Sequence, residues 1–122
     1  MKKILIQNDT RVLIIDDEEE LCILLKAFIS KKGAKVEYLL KLKDCLDKIS
    51  TLKPNIVFLD NNLPDGIGLD FIERIKAIDK GIFLIMISAM THLQEKALTN
   101  GADLFMEKPI SFRAINELTA AS

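Results

Sequence analysis

Two apolar runs in this chain end on aspartate: Val12-Leu13-Ile14-Ile15 leads into Asp16-Asp17, and Ile56-Val57-Phe58-Leu59 into Asp60. A third run is closed by Lys108-Pro109. Acids gathered in one place repel each other until a cation neutralises them, and an all-oxygen donor set suits Mg²⁺. A carboxylate can also attack phosphorus, but an incoming dianionic phosphoryl group brings like charge, so positive charge must intervene. Mg²⁺ held by Asp17 and Asp60 would supply it from one side and Lys108 from the other. Ser88, at the end of a further apolar run, offers a hydroxyl donor to a remaining phosphoryl oxygen.

These groups can cooperate only if the surrounding elements deliver them to one place. Unbroken Val/Ile/Leu runs are the mark of strands buried on both faces of a parallel sheet, and ligands of such sheets sit beyond the strands' carboxyl ends. Strands are predicted at about Arg11 to Ile15, Lys35 to Leu39, Asn55 to Leu59, Ile82 to Ile87 and Ala102 to Met106, alternating with segments of helical period. The first helix is expected to bury Leu21, Leu24, Leu25, Phe28 and Ile29, with Glu18 to Glu20 in its first turn, Lys31-Lys32 in its last and Gly33 as its stop. The second spans about Leu42 to Leu52 and ends before Pro54, and the third buries Leu69, Ile72 and Ile75. The fourth lies near His92 to Thr99, and the fifth starts from Ser111 as N-cap, with Phe112, Ile115 and Leu118 inward. Five such units predict an α/β fold: a doubly wound five-stranded parallel sheet of order 2-1-3-4-5, flavodoxin-like. Its switch point falls between the first and third strands, the two that end on Asp16-Asp17 and on Asp60.

Composition narrows the classes. At 122 residues the chain fits one domain, and 49% hydrophobic and 29% charged residues are ordinary for a globular protein. A net charge of -1, from 17 basic and 18 acidic residues with the lysines beside acids, argues against direct nucleic-acid binding by this segment. Cys22 and Cys45 lack a neighbouring Cys or His and are read as buried, unpaired thiols rather than a zinc site or a disulfide. The opening Met1-Lys2-Lys3-Ile4-Leu5-Ile6 breaks at Gln7-Asn8-Asp9, and no long apolar span follows. The expectation is a cytoplasmic protein without membrane partners.

The chain resembles a response regulator receiver domain, the phosphoacceptor half of two-component signalling, over about Arg11 to Leu118. The resemblance rests on four motifs in family order. These are Asp16-Asp17-Glu18, Leu59-Asp60-Asn61-Asn62-Leu63-Pro64-Asp65-Gly66-Ile67-Gly68-Leu69, Ser88-Ala89, and Gly101-Ala102-Asp103-Leu104-Phe105-Met106-Glu107-Lys108-Pro109. It implies that Asp60 takes a phosphoryl group from a histidine kinase or phosphotransfer protein. Asp17 would be a direct Mg²⁺ ligand, Asp16 would hold the ion through water, and Asn62 would contribute its backbone carbonyl. Lys108 would pair with the phosphoryl group ahead of a Pro109 often reached through a cis bond. Ser88 would swing toward the phosphate and Phe105 would be the coupled aromatic switch. Phosphorylation would then reposition the face built from the fourth helix, fifth strand and fifth helix, to be read by a downstream protein target, an output domain or a second copy in a homodimer. The module would be a switch and not a turnover enzyme, catalysing only its own phosphorylation and dephosphorylation.

Departures and plainer readings stand beside these. Residues 1–10 form an extension ahead of the receiver segment, 11–122; an extra edge strand and a disordered tail are both open. Its Asp9 stands alone beside Asn8, unlike the Asp16-Asp17 pair. The interval from Ser88 to Lys108 is shorter than the family's, so a short fourth helix is expected. No output domain follows within these residues, which fits a stand-alone receiver or a piece of a longer regulator. Asp16-Asp17 also suits a helix N-terminus, Ser88 a turn cap, Lys108 a surface lysine and Phe105 a plain rim aromatic. Met86, Met90 and Met106 read as packing, with Met90 and Asn62 placed by the resemblance where they tune hydrolysis of the acyl phosphate. His92 reads as a solvated residue. An aspartyl-nucleophile phosphatase would want its two acids two residues apart, and a flavin carrier a phosphate loop where Asp17 to Glu20 stand. A degenerate, purely binding receiver would not need the intact acids and Lys108.

Overall fold

The apolar runs do become strands of one parallel sheet. The computed structural model describes residues 4–121. β1 (Ile4–Ile6) is followed by β2 (Arg11–Ile15), α1 (Glu19–Ser30), β3 (Lys35–Leu39), α2 (Cys45–Leu52) and β4 (Ile56–Asp60). A short hairpin, β5 (Asn62–Leu63) and β6 (Gly66–Ile67), turns on Pro64-Asp65 and leads through a 3₁₀ turn (Gly68–Phe71) to α3 (Ile72–Ile78) and β7 (Phe83–Ser88). A second 3₁₀ turn (Thr91–Leu93), α4 (Gln94–Asn100), β8 (Leu104–Glu107), α5 (Phe112–Leu118) and β9 (Thr119–Ala121) complete the chain.

The main sheet has the order β3-β2-β4-β7-β8 with every pairing parallel. Counted without the short extra strands, this is the predicted 2-1-3-4-5. Ile15 sits opposite Leu59, and Asp60 opposite Ile87, so β2, β4 and β7 finish almost level. Side chains alternate between two cores because successive residues of a strand point to opposite faces. Leu13, Ile15, Val57, Leu59, Leu84 and Met86 pack with Cys45, Ile49, Ile72, Ile75 and Ala97 on one face. Val12, Ile14, Ile56, Phe58, Ile85 and Ile87 pack with Cys22, Leu25, Ile29, Ile115 and Leu118 on the other. Each such side chain contributes about 1.5–3 kcal/mol on full burial, and covering both faces explains why the strands read as continuous apolar runs.

The described part of the extension does form a packed strand, but not at an edge of the main sheet. β1 lies parallel to β9 in a separate two-stranded sheet, and Ile6 is wholly buried in the core that holds Phe58 and Leu118. Several boundaries also move. On α1 the buried residues are Cys22, Leu25 and Ile29, while Leu24 is 58% exposed, because the predicted apolar set spans a wider arc than one helix face can bury. Lys31 and Lys32 fall beyond the last turn, and the Lys32 ammonium instead donates to Asn116 Oδ1 (2.7 Å) and the Thr119 carbonyl (3.3 Å). α2 starts three residues later than predicted, since Asp44 turns left-handed (φ 66°) and breaks the helical path, while the Asp65 carboxylate accepts from the Leu42 and Lys43 amides (both 2.8 Å). Leu69 is half-buried in a 3₁₀ turn rather than in α3. α4 is short, as the Ser88 to Lys108 interval implied, and Ser111 caps α5 by accepting from the Ala114 amide (3.1 Å). Cys22 and Cys45 are buried free thiols, pushed up by burial to about 12 and about 11.

Candidate metal centre

β4 carries Asp60 to the sheet's carboxyl edge and leaves it only 4% exposed. The loop that follows is built tightly onto the strand end. The Asn61 amide donates to Asp60 Oδ1 (2.9 Å), the Gly68 amide to the Asn61 carbonyl (2.8 Å) and the Leu69 amide to Asn61 Oδ1 (3.1 Å). A Cβ at Gly68 would overlap the Asp60 carbonyl oxygen, so only glycine lets the loop approach this closely. From β2, Asp16 is fully buried and its Oδ1 accepts from the Glu18 amide (2.9 Å), fixing the turn into α1. Asp17, next along the turn, is exposed to solvent. One oxygen from each of Asp16, Asp17 and Asp60 can be chosen so that all lie within 4.8 Å of one another.

Lys108 enters from the end of β8. Its amide donates to the Ser88 carbonyl (3.0 Å), and the peptide bond to Pro109 is cis, as the resemblance implied. Its ammonium lies 2.7 Å from Glu18 Oε1, 2.8 Å from Asp16 Oδ2 and 3.3 Å from Asp60 Oδ1. The Asp16 contact is an ion pair without hydrogen-bond alignment, so Asp16 Oδ2 remains a buried oxygen that accepts no hydrogen bond among the described residues.

Charge in the pocket is unbalanced: one ammonium faces three carboxylates, with Asp17 beside them. Burial, and next the charge of Asp16, push Asp60 up to about 6 against the opposing pull of Lys108. Asp16 is raised too, chiefly by burial. Burial pulls Lys108 down, but its close contacts with the Asp16 and Glu18 carboxylates and the nearby charge of Asp60 outweigh this and raise it. An excess of hard oxygen donors, one of them buried and met only by the Lys108 ammonium, is what a small divalent cation would relieve.

The remaining predicted residues lie around this centre. Ser88 is buried at the end of β7, and its Oγ accepts from the Met90 amide (3.0 Å), the turn-capping contact. Asn62 is exposed at the start of β5; its Oδ1 accepts from Asn61 Nδ2 (3.1 Å) and its side-chain Nδ2 donates to Met90 Sδ (3.7 Å). Met90 is therefore not a packing residue: it is 37% exposed at the rim, because the Ser88-capped turn lifts it off the sheet, whereas Met86 is fully buried. Phe105 is half-buried on β8 against the core of the α3 and α4 face. His92 is exposed. Two further residues, Glu18 and Asn61, join the site in the structure without a sequence signal of their own. Glu18 reads as one more first-turn acid, and its only signal is its place directly after Asp16-Asp17; Asn61 reads as a loop residue although it is 4% exposed.

Comparison with known proteins agrees with this geometry. Residues 12–120 match the response regulator receiver domain. The chain is 34% identical to the KDP operon transcriptional regulatory protein KdpE of Escherichia coli, over 91% of this chain and 48% of that protein. It is 35% identical to the chemotaxis protein CheY of Thermotoga maritima, over 81% of this chain and 85% of the other. A CheY-like receiver domain structure from Methanospirillum hungatei superposes with a TM-score of 0.82 at 27% identity, covering 88% of both chains. The chain spans less than half the length of the transcriptional regulators it matches. An acid-lined pocket at the switch point of a 2-1-3-4-5 sheet, a lysine on the adjoining strand end and a match over nearly the whole length agree: this chain belongs to the response regulator receiver domain family, and it is a phosphoacceptor signalling domain.

Proposed function

We propose that Asp60 is the phosphoacceptor of this domain and that Mg²⁺ is held beside it by Asp16, Asp17, Asp60 and the Asn62 backbone carbonyl. The observation that carries the reading is the convergence of the three aspartates and the Lys108 ammonium on one edge of the sheet. In the transfer, an Asp60 carboxylate oxygen forms a bond to phosphorus while the phosphorus–nitrogen bond of a donor phosphohistidine breaks, the electron pair leaving on the imidazole. When bound, the cation supplies the charge that lets a phosphoryl group approach a carboxylate. Lys108 pairs with the phosphoryl oxygens from the opposite side, and Ser88 gives up its cap on Met90 to donate to one of them. The Asn61-Asn62-Met90 chain of contacts stands at the rim, where water must enter to hydrolyse the product.

The partners in this reading are a histidine kinase or phosphotransfer protein upstream and a protein target, an output domain or a second copy downstream. The surface they read is α4, β8 and α5, with Phe105 as its switch. The domain catalyses only its own phosphorylation and dephosphorylation, and it works in the cytoplasm; no described helix is long and apolar enough to cross a membrane. Residues 11–122 are read as the receiver unit and residues 1–10 as an extension, of which Ile6 is seated in the core. The test is to incubate the chain with Mg²⁺ and a small phosphodonor and follow its phosphorylation by intact mass. The expected result is labelling that disappears on chelation and in Asp60→Asn; labelling that survives Asp60→Asn moves the chemistry to another residue.

A further inference from the structure

The least expected partner of Lys108 is Glu18. The ammonium is 2.7 Å from Glu18 Oε1 and 2.8 Å from Asp16 Oδ2, yet 3.3 Å from Oδ1 of Asp60, the carboxylate read as the acceptor. The resting lysine is thus shared among three acids and lies closer to the two in the turn at the start of α1 than to the acceptor. We propose that Glu18 is a positioning residue that latches Lys108 toward the α1 turn and competes with the phosphoryl group on Asp60 for its ammonium. The proposal rests on the phosphoacceptor reading of Asp60.

The three acids around the ammonium differ in what they can do. Asp16 is fully buried and tied through Oδ1 to the Glu18 amide, so its carboxylate cannot follow or release the lysine without breaking the turn. Asp60 is the acceptor itself. Glu18 has its backbone fixed by that bond to Asp16, but its side chain is 61% exposed and can return to water at small cost. It is therefore the partner that Lys108 exchanges when a phosphoryl group, bringing about -1.5 to -2 charge and three acceptor oxygens, appears on Asp60. A latch of this kind sets how readily the phosphorylated state forms. An ion pair at an exposed carboxylate is weak enough for the phosphoryl group to displace and strong enough to bias the resting position. Release also has a direction: Lys108 lies on the segment between β8 and α5, and its amide is tied to the Ser88 carbonyl, so movement of the ammonium toward Asp60 pulls on the end of β7 as well.

The experiment measures fluoroberyllate binding at saturating Mg²⁺ to the full chain, to Glu18→Gln, to Lys108→Ala and to the double variant, with Mg²⁺ affinity measured separately. The latch predicts that Glu18→Gln binds fluoroberyllate about threefold to fivefold more tightly, the size of one exposed ion pair, with Mg²⁺ affinity unchanged or lowered. It predicts no effect of Glu18→Gln in the Lys108→Ala background. In the metal-free chain, the ammonium resonance of Lys108 should shift in Glu18→Gln. Binding that is unchanged or weaker in Glu18→Gln overturns the latch, as does an equal effect with and without Lys108, which would place Glu18's influence on the metal. A wild-type chain that takes up no fluoroberyllate overturns the phosphoacceptor reading and the latch together, whereas wild-type uptake without the Glu18 effect overturns the latch alone.

Discussion

Asp60 is a carboxylate held where charge is disfavoured, and its raised value near 6 has consequences in both directions. An acid whose folded value lies above its ordinary 3.8 binds more protons when folded than when unfolded between about pH 4 and 6. Its contribution to stability is therefore lost as pH rises through that window, and above it the ionised group strains the metal-free fold. Asp60→Asn should stabilise the metal-free chain by on the order of 1–3 kcal/mol at pH 8 and by little at pH 4, as read by urea denaturation at the two pH values. The same proton competes with a cation, so Mg²⁺ affinity should fall as pH drops through about 6. Asp16→Asn removes the neighbouring charge that helps raise Asp60, so its carboxyl resonance should titrate lower in that variant. Asp16, Asp17, Asp60 and Lys108 were legible in the sequence because each stands at the end of an apolar run. Glu18 was not, since an acid in a helix's first turn has a sufficient local reason to be there, and only the ammonium 2.7 Å away gives it a second one.

Among the elements, the loop between β4 and α3 and the ribbon of β1 with β9 show how locally the site is held and how far its support extends. Gly68→Ala must push the loop off the Asp60 carbonyl, carrying Asn61 and Asn62 with it. Fluoroberyllate binding should weaken on the order of tenfold or more, with the fold retained by circular dichroism. At the other end, α5 makes only two turns before the chain becomes β9, and β1 fills the space beside it. Ile6→Ala should cost about 2–5 kcal/mol as a buried truncation, whereas Leu5→Ala, at a side chain 53% exposed, should stay within about 0.5 kcal/mol. Denaturation midpoints of the two variants compare them directly. The core strands could be read from sequence because burial on both faces leaves unbroken apolar runs. The ribbon could not: three apolar residues fit an edge strand, a tail or a packed ribbon equally, and the partner, Thr119–Ala121, carries no strand signal beyond its place after a helix.

At the scale of the molecule, the sheet gathers chemistry at one edge, and the strand next to it, β8, connects that edge to α5. The order 2-1-3-4-5 followed from alternating strand and helix signals because handedness leaves few ways to wind five units. A near-complete switch, from 1:99 to 99:1, requires the phosphoryl group to favour the active state by roughly 5.5 kcal/mol, within reach of a few charge-assisted bonds in a partly buried pocket. Lys108→Ala should leave Mg²⁺ binding intact but uncouple phosphorylation from changes on the α4, β8 and α5 face. Amide chemical shifts there, compared with and without fluoroberyllate, would report the loss. A switch role for Phe105 has no signature in the residues themselves, since a half-buried aromatic on an edge strand packs equally well whether or not it turns. The most direct measurement of the central claim is borohydride reduction of the chain after treatment with a phosphodonor, followed by peptide mass spectrometry, because reduction converts an aspartyl phosphate to homoserine. The account predicts homoserine at position 60 in the presence of Mg²⁺ and none after chelation; homoserine at another aspartate, or at position 60 without any divalent cation, would contradict it.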